Sequence, residues 1–121
     1  MKHFNLSEFD SPDLIGSGER MSKEFLRMLD DARDLAGITF KINSGYRTEA
    51  KNNAIYKSLG KTPIKSSHLQ GFAADIHCNN SQDRLRILNA LIQNGFKRIG
   101  IAKTFIHCDN DPLKVNAVWI Y

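Results

Sequence analysis

Two imidazoles and a carboxylate stand in a compact pattern over Ser66-Ser67-His68-Leu69-Gln70-Gly71-Phe72-Ala73-Ala74-Asp75 and Phe105-Ile106-His107-Cys108-Asp109. His68, Asp75 and His107 are of the residue types that bind zinc through nitrogen and oxygen. Three protein ligands leave one position of the ion open. A site of two histidines, one carboxylate and water is the form that hydrolyses amides, whereas a structural zinc is normally closed by four ligands, often sulfur. The pattern therefore points to metal-assisted hydrolysis. Taken singly the residues say less, because an aspartate alone is more often a cap or an ion-pair partner, and an isolated histidine on a strand is more often surface or packing.

The elements that must position these groups can be read from periodicity. Met21, Phe25, Met28, Leu29, Ala32, Leu35 and Ala36 recur at three and four residues, which predicts a helix with a core-facing stripe ending at Gly37. Ile38-Thr39-Phe40-Lys41-Ile42 alternates and is rich in β-branched residues, so it reads as a strand that delivers Ser44 to Arg47 at its end. A second helix is expected from Thr48, its N-cap, to Leu59, with Gly60-Lys61-Thr62-Pro63 breaking it before His68. Phe72 to Cys78 reads as a strand. Ser81 is the expected N-cap of a helix carrying Leu85, Leu88, Ala90, Leu91 and Ile92 and closed by Asn94-Gly95. Arg98 to Ala102, Thr104 to Cys108 and Val115 to Tyr121 are apolar enough for further strands. This order predicts an α+β fold in which an antiparallel sheet carries the site and packs against two or three helices.

Side chains alternate along a strand, so Gly71, Ala73, Asp75 and His77 share one face, as do Phe105, His107 and Asp109. If the two strands are antiparallel neighbours with Asp75 opposite His107, carboxylate and imidazole converge and His68 reaches them from the preceding loop. That register sets Asp109 opposite Ala73 and His77 opposite Phe105, and the small Gly71 and Ala73 would leave the face open.

The S-x-H-x-x-G-x-A-x-D segment followed by F-x-H-x-D resembles the peptidase M15 family of zinc D-Ala-D-Ala carboxypeptidases and peptidoglycan endopeptidases, with a hedgehog-like fold. The C-terminal H-x-D resembles one M15 subgroup. Ile42-Asn43-Ser44-Gly45-Tyr46-Arg47-Thr48 looks like its S-G-Y-R segment, and the stretch from Gly95-Phe96 to Gly100-Ile101 looks like the one before its last ligand. The resemblance implies that His68, Asp75 and His107 bind one zinc ion and that Arg47 and Ser66 face the substrate, a peptidoglycan peptide. The ion would lower the pKa of its water towards about 7 and polarise the scissile carbonyl. Many members place Glu or Asp three residues before the last ligand, or His two before it. Here those positions are Thr104 and Phe105, which can do neither job. Asp109, on the ligand face, is then either general base or orienting partner of a ligand imidazole, and His77 is the weaker substitute. Arg47, permanently charged, can hold a substrate carboxylate bidentately or stabilise the tetrahedral oxyanion. A peptidase, a non-catalytic zinc module binding cell-wall peptide or a protein partner, and a metal-stapled structural protein all stay open.

The 121 residues, 41% hydrophobic and 25% charged, are expected to form one domain over 1–121, most simply a monomer. There is no apolar run for stable membrane insertion or a secretory signal at the N-terminus, so synthesis in a cytoplasm and action on a cell wall are expected. That arrangement resembles a phage-encoded lytic or wall-processing enzyme. The net charge of +4 comes from scattered basic residues, without the aromatic-interleaved stripe of a nucleic-acid binder. Cys78 and Cys108 lack C-x-x-C spacing and read as buried free thiols.

Overall fold

The computed structural model describes all residues 1–121 and shows three α-helices and a five-stranded, mostly antiparallel sheet, an α+β fold in which the first and third helices cover one face of the sheet. Helix α1 spans Lys23–Ala36. Its N-cap is Ser22, whose side chain accepts the Phe25 N–H, and it stops at Gly37, whose positive φ lets the chain turn away. Met21, read as the first residue of this stripe, is buried but precedes the helix. Helix α2 spans Glu49–Ser58 with Thr48 as its cap. Helix α3 spans Ser81–Gln93.

Two sequence expectations shift at α3. Its N-cap is Asn80, whose Oδ1 accepts the Asp83 N–H at 2.9 Å, rather than Ser81, which is the first helical residue. The buried stripe is Ile87, Ala90 and Leu91, while Leu85 and Ile92 are exposed. Ile87, Ala90 and Leu91, three and four residues apart, share the face that packs on the core, and a sequence with apolar residues on several sides cannot decide between faces.

Strands β1 (Ile42–Ser44), β2 (Ala73–His77), β3 (Arg98–Ile101), β4 (Phe105–Asp109) and β5 (Ala117–Ile120) are ordered β1-β2-β4-β3-β5. The first strand lies later than Ile38–Ile42 suggested. Ile38 to Phe40 find no partner strand; Phe40 is instead wholly buried, and pairing begins where the Lys41 carbonyl accepts the His77 N–H at 2.8 Å. β5 also departs from the antiparallel expectation, since it runs parallel to β3. Its direction is forced by the chain path. β4 ends at Asp109 beside Arg98, the first residue of β3, so a short connection that joins the free edge of β3 there must run alongside it.

Ala74, Ile76, Ile99, Ile106 and Cys108 form the helix-covered face of the sheet and pack with Phe25, Leu29, Ile87 and Leu91. Phe25 meets Phe96 edge to face at 5.7 Å. Each fully buried side chain of this size contributes about 1.5–3 kcal/mol. The opposite face carries polar and aromatic side chains together, among them Asp75, His107, Phe105 and Trp119. At the N-terminus the backbone N–H groups of Lys2 and His3 donate to Asp30 of α1, and the His3 ring lies 3.0 Å from Asp34, so His3 is not a free terminal residue. Cys78 and Cys108 are both buried and unpaired. No helix is long and apolar enough to cross a membrane.

Candidate metal centre

The register of the central strands pairs Asp75 with His107, Ala73 with Asp109 and His77 with Phe105. Neighbouring pairings extend the first of these into one row across the sheet: Ser44, Asp75, His107, Gly100 and Trp119. The row lies on the face turned from α1 and α3, the side on which α2 sits. Above it, Ser67–Gln70 forms a 3₁₀ turn whose N-cap Ser66 accepts the His68 N–H, and the turn drops His68 onto Asp75.

Gly71 ends this turn with φ of 75°. It does not open the face, as its small size suggested. A Cβ there would collide with the Arg20 carbonyl and come within 2.9 Å of Met21 Cα, so the glycine allows a close backbone approach behind the site. Ala73 is fully buried.

One ligand atom from each of His68, Asp75 and His107 lies within 4.8 Å of the others, and all three residues are buried. Asp75 Oδ1 is 3.3 Å from His68 Nε2 and 2.9 Å from His107 Nδ1. Two ligands each about 2 Å from a tetrahedral ion stand about 3.3 Å apart, so this donor set fits a small divalent metal after slight opening at His107. The remaining imidazole nitrogens are both engaged. His68 Nδ1–H donates to the Gly45 carbonyl at 2.7 Å, which places its lone pair on Nε2, and His107 Nε2 lies 2.7 Å from Asp109 Oδ2. Fixing the outer nitrogen is how metal-binding histidines are oriented.

Burial, aided by the charges on Arg47 and His107, outweighs Asp75 and holds His68 below the usual imidazole range. For His107 burial also opposes charge, but the hydrogen bonds from Asp109 and Asp75 prevail and raise it. Burial would raise Asp75, yet the two histidines keep it well below the carboxylate range. Asp109 is likewise lowered against its burial, by His107, the Asp111 N–H and Arg98.

Arg47 sits beside the cluster, its Nε donating to Ser44 Oγ at 3.0 Å and its Nη2 to Asp75 Oδ2 at 3.3 Å. Its backbone N–H donates to the His68 carbonyl at 3.2 Å, so the Ser44–Arg47 turn and the His68 turn hold each other. The two segments thus meet in one place. His77 does not join them; it is exposed at the end of β2 and does not line the cleft.

The cleft over the centre, about 590 Å³, is lined by Arg47, Ser66, His68, Asp75, His107 and Asp109, with α2 contributing Ile55 and Tyr56. Sequence reasoning missed its far wall. Trp119 lies 5.4 Å from the His107 ring, and Tyr121 lies 5.1 Å from Phe105. Gly100 makes room for both, because a Cβ there would come within 2.6 Å of Trp119 Nε1 and 2.7 Å of Tyr121 Cε2. Arg98, Lys61 and Lys114 also line the cleft. Alternation of Trp119 and Tyr121 was the available signal, but only the parallel pairing of β5 with β3 sets them beside His107.

The peptidase M15 family model matches residues 3–109. The chain belongs to the peptidase M15 family. No curated protein and no solved structure gives a match. M15 membership points to a metallopeptidase, and the matched stretch contains His68, Asp75 and His107. It stops before β5, so the aromatic wall lies outside the shared pattern.

Proposed function

We propose that this M15 member is a zinc peptidase that hydrolyses bonds at D-amino acids in peptidoglycan stem peptides, as carboxypeptidase or endopeptidase, at the cell wall. The observation that carries the reading is the buried His68, Asp75 and His107 cluster at the floor of a cleft, with both outer imidazole nitrogens engaged. Zinc bound there would supply an activated water and polarise the scissile carbonyl. The cleft suits an anionic peptide. Its four cationic side chains are Arg47, Arg98, Lys61 and Lys114, and its only carboxylates, Asp75 and Asp109, are already paired with histidine and arginine.

In this reading Arg47, braced by Ser44 and Asp75, turns its remaining N–H groups to a substrate carboxylate or to the tetrahedral oxyanion. Ser66 Oγ accepts the His68 N–H and keeps its own proton to donate to the peptide. Asp109 acts as the orienting partner of His107 rather than as general base. Its Oδ2 faces His107, and its Oδ1 accepts from both Arg98 Nε and the Asp111 N–H.

That engagement also favours a second reading, a zinc-containing module that binds cell-wall peptide or a protein partner without cutting it, since neither cleft carboxylate is free to take a proton. One experiment separates them. Zinc-loaded protein is incubated with purified peptidoglycan, beside His68→Ala and Asp109→Asn, and released peptides are read by mass spectrometry. Zinc-dependent release, absent in His68→Ala, is expected and names the bond cut; tight zinc and peptide binding without release selects the module. In Asp109→Asn, weakened zinc affinity marks an orienting partner, whereas lost turnover at unchanged affinity marks a base.

A further inference from the structure

Arg98 is the side chain of the cleft whose contacts the metal cluster and the peptide do not explain. It opens β3, opposite Asp109 of β4 and Ala117 of β5. Its Nε donates to Asp109 Oδ1 at 2.8 Å, its Nη1 donates to the Val115 carbonyl, and its guanidinium lies 4.9 Å from the centre of the Trp119 ring. One planar group therefore touches the carboxylate behind His107, the connection leading into β5 and the aromatic wall.

The contact with Asp109 matters because Asp109 is 1% exposed. A carboxylate so buried needs its charge compensated and its lone pairs filled. His107 fills one oxygen; Arg98 and the Asp111 N–H fill the other. Without the guanidinium nothing on the Oδ1 side fixes the carboxylate plane except one backbone N–H. The His107 ring is then free to swing, and it has carboxylates at both nitrogens, Asp75 at Nδ1 and Asp109 at Nε2. Which nitrogen keeps the proton depends on how firmly Asp109 is held.

We propose that Arg98 is a positioning residue of the metal centre: by gripping Asp109 it keeps the proton of His107 on Nε2 and so presents Nδ1 to the ion. The same guanidinium also touches the Trp119 wall and the connection into β5. The inference rests on the metal-site reading above. His68 does not share this support, since its outer nitrogen is held by the Gly45 carbonyl on the other side of the cleft.

The test compares wild type, Arg98→Met and Arg98→Lys by zinc affinity in chelator competition and by proton–nitrogen correlation spectra of the two site imidazoles. Wild type is expected to bind one zinc; failure there would sink the metal-site reading itself, and this inference with it. In Arg98→Met, zinc affinity should fall by about 10- to 100-fold, the usual cost of losing an outer partner. The His107 spectrum should show mixed tautomers while His68 keeps its Nδ1–H, which a general loosening of the fold would not spare. Arg98→Lys, which keeps the charge but not the planar fork, should recover part of the affinity. If Arg98→Met does not fold, the Lys variant decides alone, through a smaller loss confined to His107. Wild-type affinity with an unchanged His107 spectrum in a folded variant would overturn the role.

Discussion

His68 and His107 offer the same kind of imidazole to the same point, yet they are anchored by opposite means. His68 leans on a backbone carbonyl, that of Gly45, and its own carbonyl accepts the Arg47 N–H, so its anchor is uncharged and belongs to the fold. His107 leans on Asp109, and through it on Arg98. Burial keeps the first neutral, whereas the second is drawn towards its charged form by two carboxylates. A metal ligand can thus be oriented through main-chain geometry, which a point mutation alters with difficulty, or through an ionic chain, which single substitutions and pH can both reach.

The largest effects should come from removing the rings. His68→Ala and His107→Ala should each weaken zinc binding beyond the roughly 100-fold that an outer partner costs. Their metal-free forms should differ. His107→Ala strands Asp75 and Asp109 without their shared partner, and breaking such a buried pairing costs about 3–5 kcal/mol, whereas His68→Ala leaves the Asp75–His107–Asp109 chain intact. Denaturant melts of the two metal-free variants measure the gap; equal midpoints would break the contrast.

Acidity should separate the two arms by sign. His107 has its pKa raised on folding, so its stabilisation is fully present below the unfolded value of about 6.5 and is lost as pH rises through the folded value. His68 has its pKa lowered, so its contribution is fully present above about 6.5 and is lost as pH falls below it. In the metal-free protein the two oppose each other. His68→Gln should therefore lose stability as pH rises beyond about 6.5, and His107→Gln should lose it as pH falls below about 6.5. Thermal melts across that range provide the slopes, and slopes of the same sign would refute the assignment. A zinc ion bound through Nδ1 would compete with the second proton of the charged His107 ring, so wild-type affinity should fall by about tenfold per pH unit below the raised value.

How much of this was legible in the residues depended on range. Alternation put Asp75 and His107 each on a defined face of its strand, and the need for carboxylate and imidazole to meet at one ion pointed to the register that pairs them. The end of α1 at Gly37 and the Thr48 cap of α2 were equally local. What escaped was set by tertiary partners. Ile38 and Phe40 pack towards the core while Thr39 is exposed, an alternation like that of a strand but without a neighbour to pair with, and the exposed Leu85 and Ile92 compete with Ile87 for the inward face of α3. Arg98 looked like one more scattered cation, since nothing near it in the chain announces that β4 will bring Asp109 opposite. Metal ligands come as residue types at fixed spacing, whereas their supports are recruited from wherever the sheet places them.

The backbone arm can be strained at its anchor. A Cβ on Gly45 would come within 2.7 Å of Phe9 Cα, so Gly45→Ala must push the N-terminal segment or its own carbonyl aside. A cost of about 1–3 kcal/mol is expected, as for other overpacked positions. The carbonyl that holds His68 should shift, with the His68 Nδ1–H signal moving and that of His107 unmoved. A change at His107 alone would mean that the two anchors are not independent.

The smallest effect compares a helix that belongs to the site with one that does not. Thr48 caps α2 by accepting the Lys51 N–H, and Asn80 caps α3 by accepting the Asp83 N–H. Each alanine substitution should cost about 1 kcal/mol, read as a shift in the denaturant midpoint. Only α2 supplies cleft residues, Ile55 and Tyr56, and only Thr48 follows directly on Arg47. Thr48→Ala should therefore raise KM for a peptidoglycan peptide while leaving zinc affinity intact, because both imidazole anchors lie outside the cap. Asn80→Ala, on the helix behind the sheet, should leave KM and zinc affinity alone. If the two variants changed KM alike, the cleft would be responding to global stability rather than to the helix that lines it.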